Sequence, residues 1–221
     1  MLLEAGADVN AEGGYSGTPP QEAARGGHET VMEMLLEAGA AVNAEGGMYG
    51  TPLQEAARGG HERVVKMLLE AGAAVTAQGG EYGTPLQVAA NGGHERVVKM
   101  LLEAGADVTA QGGYSGTALQ AAADGGNERV VKMLLEAGAD VTAQGGMYGT
   151  ALEVAAVRGH ERVVKMLLGA GADVAAQGGE YGTALQVAAR GGHERVVKML
   201  LEAGADVKAQ GGMSSPQISE K

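Results

Sequence analysis

Histidine stands at positions 28, 61, 94, 160 and 193, and Asn127 fills the one gap, so an imidazole or an amide recurs every 33 residues. A ladder of imidazoles raises the question of a metal site. Ligands of a shared zinc ion must each come within about 2 Å of it, whereas residues one period apart on stacked helices stand roughly 8–10 Å from each other. Each rung offers only one His and the Glu that follows it. The spacing favours a polar group that bonds backbone at a helix start, and no metal is expected. Other chemistry fares no better. Glu62 and Glu70 flank Lys66 at four-residue steps, the pattern of ordinary solvated ion pairs. The 39 glycines form no GxxxxGK[ST] motif and no GxGxxG in the right context. With no cysteine and no convergent pocket, neither catalysis nor a cofactor is expected.

What organises these residues is repetition. Gly-Thr marks fall at Gly17, Gly50, Gly83, Gly116, Gly149 and Gly182, a strict 33-residue period, which is the mark of a stacked array. Six units follow: 17–49, 50–82, 83–115, 116–148, 149–181 and 182–214. Residues 1–16 read as the second part of a further unit, because MLLEAGADVNAEGG nearly repeats 34–47, and 215–221 form a short polar tail.

The chain lacks Phe, Trp and Cys, so its interior must come from Leu, Val, Met and Ala. A formal charge of −11, with Lys and Arg interleaved among Glu, supplies no basic stripe for phosphates. Nucleic acid and anionic membranes are therefore not expected as partners. No apolar run reaches the roughly 18 residues of a membrane span, and the N-terminus has no signal-peptide pattern. An intracellular, cytoplasmic protein is the expectation.

Within the unit that starts at Gly50, Thr51-Pro52 opens a helix, and Gln54 completes a T-x-x-Q capping box. Leu53, Ala56 and Ala57 make a narrow apolar stripe before Gly59-Gly60 ends the helix. A second helix over His61–Ala71 gathers Val64, Val65, Leu68 and Leu69 on one side and Glu62, Lys66 and Glu70 on the other. AAVTAQGGEYG then reads as an extended segment with a Gly-Gly turn. Such a pair buries too little apolar area to stand alone, and stacking closes its open face.

GTPLQEAA, then GHERVVKMLLEAGA, then a V-x-A segment resembles the ankyrin repeat, with Gln54 where the usual TPLHxAA motif has histidine. The resemblance covers nearly all of the chain and departs at the hairpin, which carries QGG and a variable pair with Tyr; the GGxYGxxLQxAA form is similar to arrays in fungal proteins. It implies an all-α repeat solenoid, a helix-turn-helix stack with projecting hairpins or loops, whose concave helix and fingertip face docks a protein partner.

Individuality is concentrated in the hairpin pair and at the first-helix positions of Pro52, Glu55 and Arg58. At i, i+3 and i+6 these are expected to share an outward face. Down the stack the Glu55 column reads Glu22, Glu55, Val88, Ala121, Val154, Val187, and the Arg58 column reads Arg25, Arg58, Asn91, Asp124, Val157, Arg190. A polar end grading into valine is one candidate recognition surface; the alternative is valine half buried between neighbouring first helices. Every tyrosine lies in a hairpin, so Tyr49, Tyr82, Tyr148 and Tyr181 are candidate anchors, or else rungs of a structural ladder.

The leading expectation is a non-enzymatic protein–protein interaction scaffold. Its rival is a structural or self-associating module: the chain starts mid-unit, so Leu2 and Leu3 are expected to be exposed and the array to stack end to end. A third reading takes the near-identity of the units as consensus-like design or recent duplication without a selected partner.

Overall fold

A computed structural model describes residues 8–11, 17–45, 50–79, 83–179 and 181–208. Within them the chain folds into helix pairs: α1 (Pro19–Arg25) and α2 (Glu29–Glu37), α3 (Pro52–Gly59) and α4 (Glu62–Glu70), α5 (Pro85–Gly92) and α6 (Glu95–Glu103), α7 (Ala118–Asp124) and α8 (Glu128–Glu136), α9 (Ala151–Arg158) and α10 (Glu161–Gly169), α11 (Ala184–Arg190) and α12 (Glu194–Glu202). Among the described residues there is no strand, only isolated antiparallel bridges at Gly112–Gly116 and Gly145–Gly149. The all-α solenoid that the ankyrin resemblance implies is the fold that forms.

Local chemistry explains each boundary. Thr51 accepts from the Gln54 amide at 3.4 Å while the Thr51 N–H donates to Gln54 Oε1 at 2.6 Å, so orphan amides at the start of α3 are satisfied reciprocally. After α4 the chain turns through Gly72 at φ 86°, a left-handed conformation that costs a glycine little. The turn lets Ala73 N–H reach Leu68 O at 2.9 Å and Gly72 N–H reach Leu69 O at 3.1 Å, closing the helix end in a Schellman motif.

The odd-numbered helices stand side by side in one row and the even-numbered ones in a second, each touching its counterpart in the next unit. Alanine sets the closeness of the first row: Ala56 and Ala57 are wholly buried beside Leu53, and their counterparts Ala89, Ala90, Ala122, Ala123, Ala155 and Ala156 are too. Val64, Val65 and Leu68 of α4 complete the layer between the rows. The core is thus a continuous slab, with each unit covering the apolar side of its neighbour.

Polar cross-links tie unit to unit. The carbonyl of Arg25 is met by His61 Nε2 at 3.0 Å, that of Arg58 by His94 at 2.9 Å, that of Asp124 by His160 at 3.1 Å and that of Val157 by His193 at 3.0 Å. Because a carbonyl only accepts, the ring nitrogen in each contact carries the proton. Asn127 does the same with its amide, donating to Asn91 O at 2.7 Å. The periodic His/Asn position is therefore a cap on the end of the preceding unit's first helix, an orphan-carbonyl problem solved across the unit boundary.

The glutamines work in the same direction. Besides closing its own capping box, Gln87 Nε2 donates to Ala110 O at 3.1 Å and to Gly116 O at 2.6 Å, both in the following hairpin. Gln21, Gln54 and Gln120 make the equivalent bond to Gly50, Gly83 and Gly149. A side chain read from sequence as a helix cap is also the pin that holds the next hairpin. On the outer side, Arg63–Glu29, Arg96–Glu62, Arg129–Glu95, Arg162–Glu128 and Arg195–Glu161 form a solvent-exposed ladder at 2.9–3.3 Å, of small individual worth.

Candidate functional site

The variable positions do not share one open face. Pro52 and Glu55 are buried, and so are Val88, Val154 and Val187 of the Glu55 column, which corrects the expectation that these residues line a surface. The reason is geometric. Successive steps of three residues drift by about 60° around a helix, so positions i and i+6 lie about 120° apart. The next first helix covers the early positions, and only the last turn opens. Of the two readings of the valines, burial between adjacent first helices is the one that holds.

The Arg58 column remains accessible. Arg58, Asp124 and Val157 are half buried, and Asn91 and Arg190 are exposed. Arg25 and Arg58 both reach the buried carboxylate of Glu55, at 3.2 and 2.6 Å, and Arg25 also reaches Glu22 at 3.0 Å. Further along, Asn91 Nδ2 donates to Asp124 Oδ2 at 3.3 Å, and Asp124 Oδ1 receives Arg158 Nε at 2.7 Å. The hydrogen bond that Arg158 donates to Asp124, reinforced by the carboxylate's charge, makes Arg158 hold its proton more tightly than an ordinary arginine, although partial burial opposes this.

Tyr49 and Tyr82 lie outside the described residues. Tyr148 and Tyr181 face each other with ring centroids 5.6 Å apart and a 32° tilt, and each carries a guanidinium: Arg158 lies 5.9 Å from the Tyr148 centroid and Arg190 lies 6.0 Å from that of Tyr181. Here the hairpin rings do pack on one another, as in the ladder reading, while Tyr181 keeps 36 % of its surface open.

These elements enclose a notch of about 200 Å³ lined by Tyr114, Asp124, Met147, Tyr148, Val154 and Arg158, among others. Tyr114 is 55 % exposed and Met147 41 %. The sequence places Tyr114 among the hairpin tyrosines without marking it as an anchor, and Met147 and Arg158 drew no notice there, although each leaves a sign. The hairpin at 112–116 reads GGYSG against GGMYG at 145–149, so Tyr114 occupies the outward position of Met147. Arg158 stands where other units have the glycine of Gly59 and its counterparts. The hairpins are joined at this point, since Met147 N–H donates to Tyr114 O at 3.2 Å.

The notch offers aromatic and thioether surface beside a fixed ion pair. Among the described residues no three His, Cys, Asp or Glu side chains gather to hold a metal. Among the same residues, no helix is long and apolar enough to cross a membrane.

Comparison with known proteins agrees with this architecture. Models of ankyrin repeats match residues 1–79, 76–145 and 152–201. The crystal structure of the human ASB11 ankyrin repeat domain superposes with a TM-score of 0.78 at 31% identity, covering 88% of this chain and 87% of that one. No curated protein sequence matches the chain. With the capped helix pair, the His and Gln cross-links and the family models all in agreement, the chain belongs to the ankyrin repeat family.

Proposed function

We propose that the chain is a non-enzymatic protein-binding module that receives its partner on the wall made by first-helix ends and hairpin tips, centred on the notch between Tyr114, Asp124, Met147, Tyr148 and Arg158. Ankyrin repeats are in general protein–protein interaction modules, and one observation supports this location within the array. Among the described residues the exposed large apolar side chains fall into two groups: Tyr114, Met147 and Tyr181 on the hairpins, and Val31, Met34, Leu201 and Val207 at the two ends of the stack. Tyr114 and Met147 of the first group line the notch, and clustered aromatic and Met side chains beside an Arg are the composition of binding hot spots.

An apolar partner side chain enters over Val154, between Tyr114 and Tyr148. The Asp124–Arg158 pair sits at the edge and orients polar atoms of the partner, a role that governs specificity and association rate more than affinity. The test is a photo-crosslinking amino acid placed at position 114 and, as control, at Lys132 on the outer helix row. Adducts formed from position 114, absent from position 132 and lost with Tyr148→Ala, support the reading; equal adducts from both positions sink it.

A further inference from the structure

The position that pins the following hairpin is glutamine in α1, α3, α5 and α7 and glutamate in α9, at Glu153. The exchange creates an internal comparison, because the hairpins at 79–83 and 178–182 have the same sequence, GGEYG. In the first, Gln54 Nε2 donates to the carbonyl of Gly79 at 2.9 Å and to that of Gly83. In the second, Glu153 has no proton to give when ionised. Its Oε2 accepts from Thr150 N–H at 2.7 Å and its Oε1 accepts from Gly178 N–H at 3.2 Å, and no hydrogen bond joins it to Gly182. A carboxylate accepts where an amide donates, so the pin has turned from the hairpin's carbonyls to its N–H.

We infer that Glu153 is a proton-operated latch on the 178–182 hairpin: ionised, it holds the Gly178 N–H, and protonated, it donates to the Gly182 carbonyl as glutamine does to the corresponding carbonyl in the other units. The setting suits such a switch. Glu153 is 2 % exposed, and burial holds its carboxyl above the usual glutamate range, against hydrogen bonds from Thr150 and Gly178 that pull the other way. No charged group takes part. The elements packed on α9 bring Asp124 from α7, paired with Arg158; Glu161, Arg162 and Lys165 from α10, with Glu161 paired to Arg195 and Arg162 to Glu128; and Arg190 from α11, over Tyr181. Tyr148 and Tyr181 are the titratable groups of the adjoining hairpins, and Glu180 lies outside the described residues. None of the described groups bonds or pairs with Glu153.

The latch bears on the site because the hairpin it holds carries Tyr181, whose ring stacks on Tyr148 of the notch. That consequence rests on the binding reading above; the latch itself is tested on the chain alone. Since the carboxyl's folded pKa is raised, protonation favours the folded state. Its contribution is present at low pH and is lost as pH rises through the folded value.

Two measurements on the full chain decide it. The midpoint of thermal unfolding of Glu153→Gln should exceed that of the parent by roughly 2–4 °C at neutral pH, and the gap should close on acidification as Glu153 acquires its proton. The amide resonances of Gly178 and Gly182 should titrate together, with a midpoint above the ordinary glutamate range, in the parent and not in Glu153→Gln. The converse variant, Gln54→Glu, should confer the same titration on Gly79 and Gly83. A pH-independent stability gap, or Gly178 and Gly182 titrating unchanged in Glu153→Gln, overturns the inference whether or not a partner binds.

Discussion

Glu55 and Arg58 are joined by a 2.6 Å ion pair that is closed at one end and open at the other: the carboxylate is 1% exposed and the guanidinium 37%. Arg25 of the preceding unit completes the cluster on the same oxygen, Oε2, while Oε1 has no hydrogen-bond partner. The counterparts of Glu55 in later units are Val88, Ala121, Val154 and Val187, so the fold itself supplies the apolar alternative. A buried ion pair recovers little more than its own desolvation. Glu55→Val is therefore expected to change stability by no more than about 1 kcal/mol in urea unfolding. Removing both arginines, Arg25→Ala with Arg58→Ala, strands the carboxylate and should cost about 2–3 kcal/mol. If the order is reversed, the cluster is a true stabilising element.

The buried valines and the exposed hairpin side chains make opposite predictions. Val88→Ser, Val154→Ser and Val187→Ser each place a hydroxyl between first helices and should lower stability by about 1–3 kcal/mol, so any loss of binding in those variants reports damage to the fold. Met147→Ala should stay within about 0.5 kcal/mol of the parent while abolishing crosslinking from position 114. Calorimetry on the two sets, read beside the crosslinking yield, separates fold from site.

The histidine ladder predicts a tolerance that follows from Asn127. His94→Ala loses the bond to Arg58 O and should cost about 1 kcal/mol. His94→Asn should recover most of it, because Asn127 already donates to the equivalent carbonyl in this chain at 2.7 Å. Equal destabilisation by Ala and Asn would show that ring packing, not the cap, is what the position needs.

The turns after the second helices give a pH prediction of opposite sign to that at Glu153. Asp107 accepts from the Thr109 hydroxyl at 2.7 Å and from its amide at 2.8 Å, and these bonds, the hydroxyl first, hold its carboxyl below the usual aspartate range. A depressed folded pKa means that the ionised form supports the turn. The support is present above the ordinary aspartate pKa and disappears as pH falls through the folded value. The Thr109 amide resonance should titrate below that of an unfolded peptide, and Thr109→Ala should raise the Asp107 midpoint. A midpoint already at the ordinary value in the parent counts against the turn.

Much of the architecture was legible in the residues. The 33-residue period, the T-x-x-Q box at Thr51 and the glycine at 72 are local statements, and each is carried out by atoms within a few residues of one another, which is why helix positions and the solenoid follow from sequence. Even the histidine reading held in kind, because a group at a helix start with no companion ligands has backbone as its natural partner.

What lay beyond the sequence involves contacts between units, whose partners lie 29 to 37 residues away. Glu55 looked open because on an isolated helix it is; it becomes buried only when α1 and α3 stand side by side with alanine between them. The second function of Gln87, the meeting of Tyr114 with Met147 and the turn of Glu153 from carbonyl to N–H follow only once neighbouring hairpins are brought into register. Sequence by itself determined the repeating element and its direction of stacking, since those rest on helix periodicity and capping. The lateral spacing of the rows decided which of its variable residues meet water, because exposure belongs to the assembled wall and not to the helix.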